Sequence, residues 1–177
     1  VNLDGTAAPL EQYLAPLIER WKAYDFSLLR HAGKADGSAS ITANTNWKLA
    51  VENFCESYHL PLVHPGLNSY SRLDDHYHIM IDDKFGGQGS TVYTPQVSSG
   101  KRFPQFPDLS DEARAGAEYV AIYPNVLVGL QNDHFWCIHM EAKGSGRTDE
   151  HLEIYYIGDG ADDETLATAR QDTLKRW

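Results

Sequence analysis

Cysteine is scarce in this chain: its 177 residues include two, Cys55 and Cys137. They form neither a Cys-x-x-Cys pair nor a disulfide framework, which points to a reducing compartment. Basic residues are outnumbered, with 15 Lys and Arg against 25 Asp and Glu and a formal net charge of −10. That balance excludes the electrostatic footprint of a nucleic-acid binder and a polybasic membrane-facing surface. Long apolar runs are missing too. A stretch such as Val126-Leu127-Val128 is far too short to span a bilayer. The opening Val1-Asn2-Leu3-Asp4-Gly5 has neither the basic nor the apolar region of a signal peptide. A soluble, cytoplasmic protein is expected. No His-Glu-x-x-His occurs to anchor a zinc protease, and Gly86-Gly87-Gln88-Gly89 lacks the Lys-Ser/Thr of a phosphate loop and reads as a turn.

What is present suits one domain with a sizeable core. The chain starts without Met and stops at Trp177 inside a helical pattern, so it reads as part of a larger protein. Leu10, Tyr13, Leu14, Leu17, Ile18 and Trp21 form an apolar helical stripe over Pro9–Tyr24, with a kink or two short helices expected at Pro16. Strands are predicted at Phe26–His31 and Ser38–Ala43, around the turn-rich Gly33–Gly37. A helix is predicted from Asn46 to about His59. Further strands follow at His76–Ile81, Gly89–Tyr93, Glu118–Leu130, Phe135–Ala142 and His151–Ile157, with a long loop over Ser98–Asp111. Asp162, Asp163 and Glu164 open a final helix. The order implies an α+β domain whose antiparallel sheet wraps a helix and encloses a pocket.

The chemistry concentrates in Asn46–Pro65. Glu56 and His59 share a helical face at i,i+3. His59 and His64 would lie about 140° apart on an ideal helix, so the chain must be distorted between them, and Pro61 is the expected cause. Two neutral imidazoles suit iron, and a facial set of two His and one carboxylate leaves positions open for dioxygen and substrate. Spacing alone is a weak signal, because His134 and His139 share it. Those two sit in a strand-like run that points them to opposite faces, and they read as sheet or pocket-lining residues.

The flanks sharpen the assignment. Asn46-Trp47-Lys48, Glu52-Asn53-Phe54 and Glu56-Ser57-Tyr58-His59-x4-His64-Pro65 closely resemble the iron-binding segment of the α subunits of Rieske-type non-haem iron oxygenases. These are the aromatic-ring-hydroxylating dioxygenases and relatives such as choline and carnitine monooxygenases. The opening residues, Val1 to Leu10, resemble the join after their Rieske domain. The resemblance implies a helix-grip, Bet v 1-like fold and Fe(II) bound by His59 and His64. It implies that Glu56 bridges electrons from a neighbouring subunit's cluster, and it places Asn53 near the iron. It also implies insertion of oxygen from dioxygen into an aromatic or other small organic substrate, as in aromatic hydrocarbon catabolism. Electrons would come from NAD(P)H through a reductase or ferredoxin and a Rieske [2Fe–2S] cluster. The parent would be a homotrimer, with or without a β subunit.

Two departures stand out. Cys55 and Cys137 cannot supply the Cys-x-His and Cys-x-x-His pairs of a Rieske cluster. Residues 1–177 are therefore expected to be a catalytic domain without a Rieske domain, inactive alone and binding neither cluster nor NAD(P)H. The family's third ligand is an Asp on a late helix. Asp159, Asp162, Asp163 and Asp172 do not sit in its Glu-Asp element, so the third ligand is expected beyond Trp177. Pocket walls are expected from the late strands and the Ser98–Asp111 loop. His76 and His78 read as pocket-rim residues, and Cys55 as a buried structural thiol. The alternative function is a non-catalytic helix-grip module that holds an apolar small molecule. A zinc-dependent hydrolase using the same histidines lacks a general base at standard spacing.

Overall fold

The computed structural model describes residues 5–68, 71–95, 97–98 and 100–177. In chain order the elements are α1 (Leu10–Arg20), β1 (Leu29–His31), α2 (Gly33–Gly37), β2 (Ser38–Ala43), α3 (Trp47–Phe54), α4 (Leu60–Val63) and α5 (Pro65–Asn68). Then come β3 (His76–Ile81), β4 (Phe85–Ser90), β5 (Val97–Ser98), β6 (Lys101–Arg102) and α6 (Asp111–Ala115). The chain continues with β7 (Ala117–Ile122), β8 (Val126–Leu130), β9 (His134–Ala142), β10 (Thr148–Ile157) and α7 (Ala167–Arg176).

Eight strands form one antiparallel sheet in the order β1-β10-β9-β8-β7-β4-β3, with β2 also paired to β10. Strand periodicity gives this sheet two different faces. Trp136, Ile138 and Met140 of β9, with Leu152, Ile154 and Tyr156 of β10, face α3 and α7. Val120, Val128 and Leu130 face the other way and pack against Leu17 of α1 and Trp21 at its C-cap. Glu118 fixes α1 on that outer face: it accepts hydrogen bonds from Arg20 Nε (2.8 Å), Trp21 Nε1 (2.6 Å) and Tyr77 OH (2.9 Å). The α+β antiparallel expectation holds.

Several local expectations are corrected. Pro16 lies within α1, which runs through it as one element. The carbonyl that loses its partner belongs to Gln12, which is exposed to solvent. Residues Phe26–Leu28 form a 3-10 turn, not strand, because the Asp25 carboxylate captures the backbone N–H of Ser27 (3.0 Å). Gly33–Gly37 is a short helix, not a turn. A turn around Pro124 splits Glu118–Leu130 into β7 and β8.

The strand expected at Gly89–Tyr93 is β4, which starts four residues earlier and ends three earlier, and the glycine run is inside it instead of being a turn. The reason is close approach. A Cβ on Gly87 would lie 2.0 Å from the Tyr119 carbonyl oxygen, and one on Gly89 would lie 2.2 Å from the Tyr77 ring. The segment expected as a loop at Ser98–Asp111 includes β6, which pairs with β5. Its Phe103, Phe106 and Leu109 are buried in the two cores.

Candidate metal centre

The helix α3 starts where the sequence provides a cap. Asn46 Oδ1 accepts from Lys48 N (3.0 Å), and Asn46 Nδ2 donates to the Ser145 carbonyl (3.0 Å). The helix ends at Phe54, earlier than the predicted His59. Glu56 is what redirects the chain. Its Oε2 accepts from the backbone N–H groups of Tyr58 and His59, giving the following residues a side-chain acceptor outside the helix ladder.

The break therefore precedes His59, whereas Pro61 was expected to make it between the two histidines. Pro61 instead lies in the first turn of α4, where no intrahelical N–H is needed. His59 is the N-cap of that four-residue helix and His64 its C-cap, with non-helical φ −124° and ψ 59°. The short helix turns the two side chains toward each other: the imidazole centroids are 5.3 Å apart in a T-shaped arrangement.

A carboxylate and an amide hold the first imidazole. His59 Nδ1 is in contact with Glu56 Oε1, and Asn53 Nδ2 lies 2.8 Å from the same ring nitrogen and 3.3 Å from that oxygen. In the tautomer that gives Nδ1–H to the carboxylate, the Nε2 lone pair is the one left to ligate. Burial works to raise the Glu56 carboxyl, but hydrogen bonds from His59 and the Tyr58 N–H outweigh it and hold the group below its ordinary range. Glu56 retains 30% of its side-chain exposure, which leaves it reachable from outside.

A residue that sequence reasoning missed ties this segment to the sheet. Gln88 of β4 donates from Nε2 to the carbonyls of Phe54 (3.0 Å) and Glu56 (2.9 Å), and its Oε1 contacts His76 Nδ1 at 2.8 Å. Ser71 Oγ lies 2.8 Å from the other His76 nitrogen. The signal available in the sequence was one amide among three glycines, in a run that was read as a turn.

His59, His64 and His76 line a cavity of about 650 Å³ between α3, the short helices and the inner sheet face. Its walls include Tyr119, Leu127, Trp136, Ile138 and Glu150 from the late strands, as expected. Residues 100–111 of the segment expected to wall it do not line it, because Phe103, Phe106 and Leu109 are spent in the cores. His78 is exposed on β3 and does not reach the cavity.

The mimic pair behaves as its strand setting demands. His134 is 1% exposed and lies 2.7 Å from Asp133 Oδ1, whereas His139 is on the exposed face beside Asn125. Trp177 Nε1 donates to His134 Nε2 (3.1 Å), so the His134 proton sits on Nδ1 toward Asp133. Cys55 is half-buried at the C-cap of α3, and burial pushes its thiol up.

The donor set is partial. No cluster of three or more His, Cys, Asp or Glu able to hold a metal occurs among the described residues. Asp159 and Asp162 face Arg30, Asp163 caps the turn before α7, and Asp172 lies 4.0 Å from Lys175. His59 and His64 fit the imidazole half of an iron site, and the cavity beside them leaves room for substrate.

Known proteins extend this picture. The structure resembles a quaternary ammonium Rieske monooxygenase, CntA, with a TM-score of 0.72 at 18% identity, covering 98% of this chain and 43% of that one. Naphthalene 1,2-dioxygenase from Rhodococcus sp. gives a TM-score of 0.62 at 17% identity, covering 99% of this chain and 50% of that one. Among curated proteins, putrescine 2-hydroxylase of Ralstonia nicotianae is 28% identical over 123 residues, or 63% of this chain and 32% of that protein. The chain thus spans about a third of that relative's length. No helix among the described residues is long and apolar enough to cross a membrane. The family model of the ring hydroxylating alpha subunit (catalytic domain) matches residues 29–177, and the chain belongs to that family.

Proposed function

We propose that this chain is the mononuclear-iron catalytic domain of a cytoplasmic Rieske-type mono- or dioxygenase. It would insert oxygen from dioxygen into a small organic substrate. The observation that carries the reading is the convergence of His59 and His64 on one cavity, with His59 Nδ1 held by Glu56. His59 and His64 would hold Fe(II), and a third ligand would come from outside the described residues. Bound iron supplies one-electron chemistry toward dioxygen.

The chain's own residues do the rest. Glu56 fixes the His59 tautomer and ring orientation, and Asn53 holds the Glu56 carboxylate. Gln88 fixes the backbone from which both act. The apolar walls at Leu127 and Ile138 exclude water from around a bound substrate. Glu56 is also the electron bridge in this reading, because it contacts the His59 imidazole and keeps part of its side chain exposed at the surface, where a neighbouring subunit would dock. That neighbour would belong to a homotrimer. Electrons would reach it from NAD(P)H through a reductase or ferredoxin and a Rieske [2Fe–2S] cluster outside this chain.

Iron content and reductant-dependent oxygen uptake of the full-length protein test the reading. His59→Ala and His64→Ala are expected to abolish iron binding. Glu56→Ala is expected to weaken it by roughly 10–100-fold through loss of the orienting bond, and to block electron delivery even at saturating iron. A full-length protein that binds no iron and consumes no oxygen with reductant sinks the proposal.

A further inference from the structure

The inner sheet face carries one carboxylate that the iron-site reading does not use. Glu150 lies on β10 between Thr148 and Leu152, and strand alternation puts it on the same face as the core residues Leu152, Ile154 and Tyr156. Its direct partners across the sheet are Met140 on β9 and Ile41 on β2, both apolar. It lines the same cavity as His59 and His64, and no Lys or Arg among the described residues lines that cavity. The carboxylate makes no hydrogen bond or ion pair among the described residues. It does not converge with the two histidines into a metal cluster either.

A half-buried carboxylate without a partner is an unfavourable thing to leave in an apolar wall. Burial alone pushes its pKa up, with no neighbouring cation to oppose it. The most economical use of such a group is to meet a cation that arrives with the ligand. Phe54, Tyr119 and Trp136 line the same cavity and add aromatic side chains that favour an organic cation over a hydrated metal ion.

We propose that Glu150 is a specificity-determining residue that selects organic ammonium compounds as ligands of this cavity. An ammonium N–H donates to the carboxylate while the carbon skeleton lies along Leu127 and Ile138 toward the histidine pair. The inference rests on reading this cavity as the substrate site. It names the charge of the substrate, not the position of oxidation.

Titration calorimetry on the full-length protein at pH 7, iron-loaded and iron-free, tests it with matched probes. These are benzylammonium against benzyl alcohol, and hexylammonium against hexan-1-ol. The wild type is expected to bind each ammonium about tenfold or more tighter than its alcohol, the size of one charge-assisted hydrogen bond. Glu150→Gln is expected to bring the ratio to about one with alcohol affinity unchanged, while Glu150→Asp keeps a preference. If Glu150→Gln does not fold, Glu150→Met, which matches its cross-strand neighbour Met140, takes its place.

Equal affinities in the wild type, no binding of either probe class, or a preference that persists without the carboxylate each overturn the proposal. Iron content and oxygen uptake are read separately. Charge-selective binding without iron or oxygen uptake would refute the oxygenase reading and leave the Glu150 site standing. Iron and oxygen uptake without charge selectivity would do the reverse.

Discussion

Replacing Gln88 with Met tests how the histidine segment is held. The Gln88 side chain is 8% exposed and makes three polar contacts, to the Phe54 carbonyl, the Glu56 carbonyl and His76 Nδ1. Methionine fills similar space and makes none of them. At about 1 kcal/mol for each neutral hydrogen bond, the loss is about 3 kcal/mol, since all three partners are left in a largely covered setting. The cost should appear in urea unfolding of the full-length protein as a lower midpoint at unchanged slope. The metal site should suffer as well, because the carbonyls released belong to the turn that carries Glu56 and positions His59. Iron affinity is expected to fall by roughly 10–100-fold, as for loss of an outer-shell support. Gln88→Glu keeps the acceptor for His76 but turns a second oxygen toward two carbonyls, so it should be no more stable than the Met variant at pH 7. A stability loss under about 0.5 kcal/mol, together with unchanged iron affinity, would refute the argument that this amide clamps the site.

Two further outcomes follow from close packing and from charge. Gly87→Ala would place a Cβ 2.0 Å from the Tyr119 carbonyl oxygen, and backbone cannot yield as a side-chain tip can. A loss of about 3 kcal/mol or more is expected in urea unfolding, and a near-neutral result would show that β4 and β7 can separate. Glu118 is held below its ordinary value: burial works to raise it, but hydrogen bonds from Arg20, Trp21 and Tyr77 outweigh burial. A depressed carboxyl contributes stability that is fully present above its unfolded value near 4.5 and is lost as pH falls through the lower folded value. Glu118→Gln should therefore lower the urea midpoint at pH 7, and the gap to the wild type should narrow below pH 4.5. A gap that widens on acidification would refute that sign.

The sequence was most readable where one period or one local rule dominates. The alternation in β9 and β10 separates two faces cleanly, and it correctly set His134 and His139 on opposite sides. The Asn46 cap and the Glu56-x-x-His59 pair are local in sequence, so their contacts are local in space. The errors share another origin. Gly86–Gly89 looks like a turn to any local rule, and only the approach of Tyr119 and Tyr77 from distant segments makes it strand. The same distance hid Gln88, whose partners lie 34 and 32 residues back in the chain. The sequence points to Pro61 for a break that the Glu56 side chain makes, because a proline announces itself in sequence while a side-chain acceptor for backbone N–H groups does not. The Ser98–Asp111 segment is polar and loop-like in sequence and is expected to wall the pocket, yet Phe103, Phe106 and Leu109 are drawn into the cores.

The division of the cavity lining between one chain segment and several separate strands has an evolutionary consequence. One continuous stretch, from the Asn46 cap to His64, carries both imidazoles and the Glu56 carboxylate that contacts His59, with Gln88 of β4 clamping it from the sheet. The surface facing them is assembled from single positions on separate strands, such as Leu127, Ile138 and Glu150. A substitution at one of those strand positions alters what the cavity accepts without moving either imidazole. New substrates can thus be explored one inward-facing residue at a time, while the reactive end is inherited intact.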